Sequence, residues 1–189
     1  DFPNQKFIGG GEESFGFMVG DAVRDKDAVG ATLLICEIAA QAKANGSSLY
    51  KELLNLYVDH GFYKEYLISL TKKGIEGANE IKQMMIDLRE NPLKEINGQR
   101  VLMVEDYDNS TAKNLFTDEI EELKIPKSNV LIYYLEDGTK ICARPSGTEP
   151  KIKFYFSVNE SLDTVENAKS AETALEQKIK NIIAEMQLN

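Results

Sequence analysis

The chain has 189 residues, 42% of them hydrophobic and 28% charged, which supports one core or two small ones and excludes a disordered tail. No apolar run is long enough for a transmembrane helix, and the opening Asp1-Phe2-Pro3-Asn4-Gln5-Lys6 lacks the basic-then-apolar order of a signal peptide. With 22 basic against 31 acidic residues the net charge is −9, so neither nucleic acid nor membrane is expected as a partner, and any bound anion must be captured locally. The chain begins at Asp1 rather than Met, as a piece of a longer protein would. Cys36 and Cys142 each lie in an apolar run and read as buried free thiols, which fits a reducing cytoplasm. The lone His60 and the lack of any Cys/His cluster exclude a zinc site.

The first stretch is rich in glycine. Lys6-Phe7-Ile8 reads as the end of a strand, followed by loop up to Gly30. Asp27 is a suitable N-cap for a helix over Ala28–Ala44 that stops at Asn45-Gly46. Val29, Leu33, Leu34, Ile35 and Ile38 make that helix apolar on nearly every side, a pattern that calls for burial between other elements. No strand is available nearby to cover it. A second helix, capped by Ser47 or Ser48, runs to about His60 with Leu49, Leu53, Leu56 and Tyr57 on one side.

From Phe62 the texture changes. Tyr63 to Leu70 reads as a strand, and Ile75 to Asn91 as a helix ended by Pro92. Strands follow around 100–107, 130–135, 139–144 and 151–158, the middle pair joined by a hairpin at Glu136-Asp137-Gly138. A final helix carries Val165, Ala168, Leu175, Ile179, Ile182 and Met186 along one face. The order is β-α-β4-α, an α+β arrangement with helices on one sheet.

Two loops carry candidate chemistry. Arg144-Pro145-Ser146-Gly147-Thr148-Glu149-Pro150 joins two predicted strands, with Lys153 just beyond. A guanidinium, two hydroxyls and exposed backbone N–H groups suit a phosphate, although the same residues also suit a tight turn with incidental charges. Gly11-Glu12-Glu13-Ser14-Phe15-Gly16 puts carboxylates and a hydroxyl in a glycine-flanked loop. Such groups can hold vicinal sugar hydroxyls, or form a solvated acidic turn. Lys26, shortly after, can offer its ammonium to a ligand or lie on the surface. No nucleophile–base pair accompanies either loop, so they read as binding loops.

Together these segments resemble the α-D-phosphohexomutases, the phosphoglucomutase/phosphomannomutase family. The first loop is similar to that family's sugar-binding loop, and the second to its C-terminal phosphate-binding loop. Phe15-Gly16 resembles the phosphoglucomutase version of the first loop. Lys26-Asp27-Ala28 stands where Lys-Asp-Gly is frequent, and Lys153 where arginine is frequent.

The resemblance implies that residues 1–58 are the C-terminal part of an α/β/α domain 3, and that residues 59–189 are domain 4, with a TATA-binding-protein-like fold. It implies an isomerase that interconverts hexose 1-phosphate and hexose 6-phosphate through a bisphosphate. Glu12, Ser14 and Lys26 would hold the sugar, and Arg144, Ser146, Gly147, Thr148 and Lys153 the phosphate. The phosphoserine and the Mg2+ site would lie in other domains, so no catalytic or metal residue is expected in this chain. Phosphopentomutase, phosphoglucosamine mutase and a non-catalytic phosphosugar-binding module are the alternatives. The uncovered helix further implies that the chain alone self-associates through residues 28–44.

Overall fold

Gly9 can lie against a neighbouring strand only because it has no side chain. A Cβ there would sit 3.1 Å from the Met18 carbonyl oxygen. In the structure, a computed structural model describing residues 5–12 and 15–188, this contact belongs to a small hairpin. Strand β1 (Gly9–Gly11) pairs antiparallel with β2 (Phe17–Val19), with Gly9 opposite Val19. The sequence reading expected a strand end at Lys6-Phe7-Ile8 and loop beyond it. The strand instead starts at Gly9, because triple glycine lets the two backbones approach where side chains would clash.

Helix α1 (Ala28–Ala44) begins at Asp27, whose carboxylate accepts the Gly30 N–H at 3.0 Å. It ends at Asn45 and Gly46, the latter at φ +72. Its apolar residues remain largely in solvent: Val29 is 83% and Leu33 63% exposed, and only Ala42 is buried. Cys36 is exposed as well, which corrects the expectation that both thiols are buried. Cys142 is half-buried, and both cysteines are free thiols. Helix α2 (Leu49–His60) is capped by Ser48, whose hydroxyl accepts the Lys51 N–H at 3.3 Å. The chain divides into two units, Asp1–Leu56 and Tyr57–Asn189.

The second unit is an antiparallel sheet with helices packed on one face. Its elements are β3 (Phe62–Thr71), α3 (Gly74–Glu90), β4 (Glu95–Ile96), β5 (Gln99–Asp106), β6 (Thr111–Asn114), β7 (Ile120–Glu122), β8 (Leu131–Leu135), β9 (Lys140–Pro145), β10 (Lys151–Glu160) and α4 (Ala168–Glu185). The strand order is β3-β10-β9-β8-β5-β6-β7, with β4 paired to β5. Strands β4, β6 and β7 have no counterpart in the sequence reading. They are short, and segments such as Thr111-Ala112-Lys113-Asn114 lack the alternation that marks a half-buried strand.

Alternation is strict in β10. Ile152, Phe154, Phe156 and Val158 are buried, while the intervening residues lie on the opposite face. Ala168, Ala171, Leu175, Ile179 and Ile182 of α4, and Ile81 and Met85 of α3, complete the core. Each such apolar side chain contributes about 1.5–3 kcal/mol through burial. Polar ties fix the helices over the sheet. Tyr133 donates its hydroxyl to the Leu88 carbonyl at 2.8 Å. Arg89 donates to both oxygens of the buried Asp106 at 3.2 Å. Lys64 on β3 bonds Glu172 at 2.8 Å and Glu176 at 3.0 Å on α4, which hold its ammonium above the usual lysine range.

The predicted hairpin forms at Glu136-Asp137-Gly138, with Gly138 at φ +80. This turn directs β9 away from β8 and toward β10, and so sets where the next loop emerges.

Candidate functional site: two binding loops

The loop from Pro145 to Pro150 joins the adjacent strands β9 and β10. Arg144 and Lys153 are register partners across that pair. Side chains directly opposite on an antiparallel ladder share a face, so the guanidinium and the ammonium emerge on the same side of the sheet, away from the helices. Lys151 is on that face too, two residues before Lys153 along the strand.

The loop is closed by its own backbone. Ser146 N–H donates to the Lys151 carbonyl, and Lys151 N–H to the Glu149 carbonyl, both at 2.8 Å. Ser146 Oγ accepts the N–H groups of Thr148 at 3.4 Å and Glu149 at 3.3 Å, which leaves its own O–H to donate. A Cβ on Gly147 would meet nothing within 4 Å, so the space beside that residue is open to a ligand. A pocket of about 250 Å³ results, lined by Arg144, Ser146, Gly147, Glu149, Lys151 and Lys153.

Of the sequence-predicted phosphate residues, Arg144, Ser146, Gly147 and Lys153 are brought together here. Thr148 is not. It lines a larger and mostly apolar depression of about 600 Å³ on the α3 side of the loop, with Ile75, Ala78, Ile81 and Met85. Lys151 and Glu149 were missed by sequence reasoning. The period-two alternation of Lys151 with Lys153 was the signal that could have found Lys151.

The other loop belongs to the first unit. Its turn is tight: Glu12 N–H donates to the Gly16 carbonyl at 2.8 Å, and Phe15 adopts φ +67. Gly16 is required sterically, since a Cβ there would fall 2.8 Å from both the Glu12 carboxylate and the Lys26 stem. Lys26 Nζ lies 3.1 Å from Asp25 and 3.4 Å from Glu12. Asp25, and then Glu12, hold this ammonium above the usual lysine range, while Lys26 holds the Asp25 carboxyl below its own. A pocket of about 340 Å³ is lined by Glu12, Gly16, Phe17, Arg24, Asp25 and Lys26. The structure thus brings Glu12 and Lys26 together and adds Arg24, which sequence reasoning missed. Ser14, the third predicted sugar residue, lies outside the described residues.

Among the described residues, no three His, Cys, Asp or Glu side chains form a group that could hold a metal ion. No helix among them is long and apolar enough to cross a membrane.

The fold and these loops define an α+β protein with a cationic pocket suited to an oxyanion. Residues 3–57 match the family model described as phosphoglucomutase/phosphomannomutase, alpha/beta/alpha domain III. The chain is 38% identical over 157 residues to a phosphoglucomutase of Staphylococcus epidermidis, covering 83% of this chain and 29% of that protein. It is 41% identical over 155 residues to a phosphoglucomutase of Staphylococcus aureus, covering 82% and 28%. A solved structure of Paramecium parafusin, a phosphoglucomutase in its open form, aligns with a TM-score of 0.53 at 16% identity, over 93% of this chain and 30% of that one. The chain belongs to the phosphoglucomutase/phosphomannomutase family and corresponds to its C-terminal region. It spans less than a third of the length of these curated relatives.

Proposed function

We propose that this chain is the substrate-holding C-terminal portion of a phosphohexomutase that interconverts hexose 1-phosphate and hexose 6-phosphate through a bisphosphate intermediate. The observation that carries this reading is the cationic pocket, in which Arg144 faces Lys153 beside an open Gly147 in a chain of net charge −9. Arginine matches phosphate oxygens bidentately, lysine adds a point charge, and the Ser146 hydroxyl donates to a remaining oxygen. Thr148 acts through its N–H, which shapes the loop by bonding Ser146.

In the first unit, Glu12 accepts sugar hydroxyls and Lys26 donates to them, with Ser14 as a further hydroxyl contact. Residues 1–58 act as the end of domain 3 and residues 59–189 as a TATA-binding-protein-like domain 4. The magnesium that the family resemblance implies finds no ligand set among the described residues, so every role proposed for them is one of binding. The exposed apolar side of α1 supports self-association of the chain when it stands alone. Two free thiols suit a reducing cytoplasm.

The test is amide NMR of the chain titrated with glucose 6-phosphate, with a coupled mutase assay on the full-length protein. Saturable shifts at 146–149 are expected, and Arg144→Ala should weaken binding by about 1.5–3 kcal/mol. Unchanged binding by Arg144→Ala would remove the phosphate-holding role.

A further inference from the structure

The cationic pocket holds two charged groups that the family resemblance does not assign, Lys151 and Glu149. Their side chains approach at 3.9 Å, the Lys151 side chain 31% and the Glu149 side chain 66% exposed. The backbone of Lys151 is fixed at the base of the loop by its bonds to Ser146 and Glu149. Its stem therefore starts at a set place, on the face that carries Arg144 and Lys153.

Resting on the phosphate reading above, we propose that Lys151 is a third phosphate-contacting cation. Glu149 is then its resident counterion, given up when the ligand enters. The pocket contains three cations and one carboxylate, a formal charge of +2. A phosphomonoester carries close to two negative charges at neutral pH, and a phosphodiester only one. The pocket is thus matched in charge to a terminal phosphate. An exposed pair at such a separation holds its partners weakly, so a dianion seated between Arg144 and Lys153 draws the Lys151 ammonium away from Glu149. In the free chain the same carboxylate lowers the cost of gathering three like charges. Glu149 thereby trades affinity for stability of the empty loop.

The test is calorimetric titration of the 189-residue chain at pH 7.5 with methyl phosphate, a dianion, and dimethyl phosphate, a monoanion. Lys151→Met should weaken methyl phosphate about tenfold and dimethyl phosphate clearly less, while Lys151→Arg stays near the parent. Glu149→Gln should tighten methyl phosphate about threefold. NMR spectra of each variant check the fold, and the two conservative variants keep the test open if Lys151→Met misfolds. Unchanged affinity in Lys151→Met, or weaker binding in Glu149→Gln, overturns the proposal. If Arg144→Ala still abolishes binding in that case, the phosphate reading survives alone. If the parent chain fails to bind methyl phosphate, both fall.

Discussion

Arg144 on β9 and Lys153 on β10 stand directly opposite each other on one face of the sheet, two positive charges at a register position where like charges oppose folding. Such a pair makes physical sense as part of an anion site. It predicts effects of opposite sign on stability and on binding. Arg144→Thr, which keeps a strand-forming side chain, should stabilise the phosphate-free chain by about 0.2–1 kcal/mol at low salt. The gain should shrink as salt screens the pair. The same variant should lose most of the stabilisation that added phosphate gives the parent. Thermal unfolding with and without phosphate, at two salt concentrations, measures all three effects. A variant destabilised in phosphate-free, low-salt buffer would contradict the repulsion argument.

A second prediction concerns the hairpin that aims β9 toward β10. Lys178 on α4 lies 2.7 Å from Asp137 in that turn, with both side chains mostly buried. Burial pushes the Asp137 carboxyl up, but Lys178 and the Thr139 N–H, 2.9 Å away, more than offset it and hold the group below its ordinary value. A carboxyl lowered by folding contributes stability that is present above its unfolded value and lost as pH falls through the folded one. Lys178→Met should cost about 1–3 kcal/mol near neutrality, because Asp137 loses its charged partner. Its acid-side loss of stability should also start at a higher pH than in the parent. Urea unfolding across a pH series from neutral to acid tests both.

Much of the second unit was legible because its chemistry is local. Pro92 stops a helix with a clear apolar stripe, Gly138 supplies the left-handed turn residue, and Ile152, Phe154, Phe156 and Val158 alternate without a break. The phosphate loop was legible for the same reason, since Arg144, Ser146 and Gly147 lie within four positions of one another. What sequence reasoning missed depends on register. Whether Lys151 shares a face with Arg144 follows only from the pairing of β9 with β10. Nor does composition separate Thr148 from Ser146, though the two residues line different sides of the loop. The β1–β2 hairpin was hidden because glycine carries no pattern of alternation.

The third prediction is catalytic. The 189-residue chain alone is expected not to turn over glucose 1-phosphate. Phosphoryl transfer needs a positioned acceptor and neutralisation of the developing charge, and no metal-holding group exists among the described residues. A coupled assay on purified chain with added magnesium tests this. A rate above a protein-free blank would show that the transfer machinery is present.

The fourth prediction follows from α1, where Val29, Leu33, Ile35 and Ile38 are all exposed. Each apolar side chain left in water forgoes about 1.5–3 kcal/mol of burial. A contiguous exposed stripe of this kind seeks a partner. A second copy of the chain offers the same stripe and can bury both at once. Sedimentation should therefore show the 21.2 kDa chain shifting to a dimer as its concentration rises. Cys36 supplies an independent reading, because its thiol is exposed on the same helix. Its reaction with a maleimide should slow as the dimer forms. Cys142, half-buried and with its thiol pushed up by burial, should react slowly throughout. Leu33→Glu should keep the chain monomeric and Cys36 fast at every concentration. A parent chain that stays monomeric, with Cys36 equally reactive at all concentrations, would exclude association through α1.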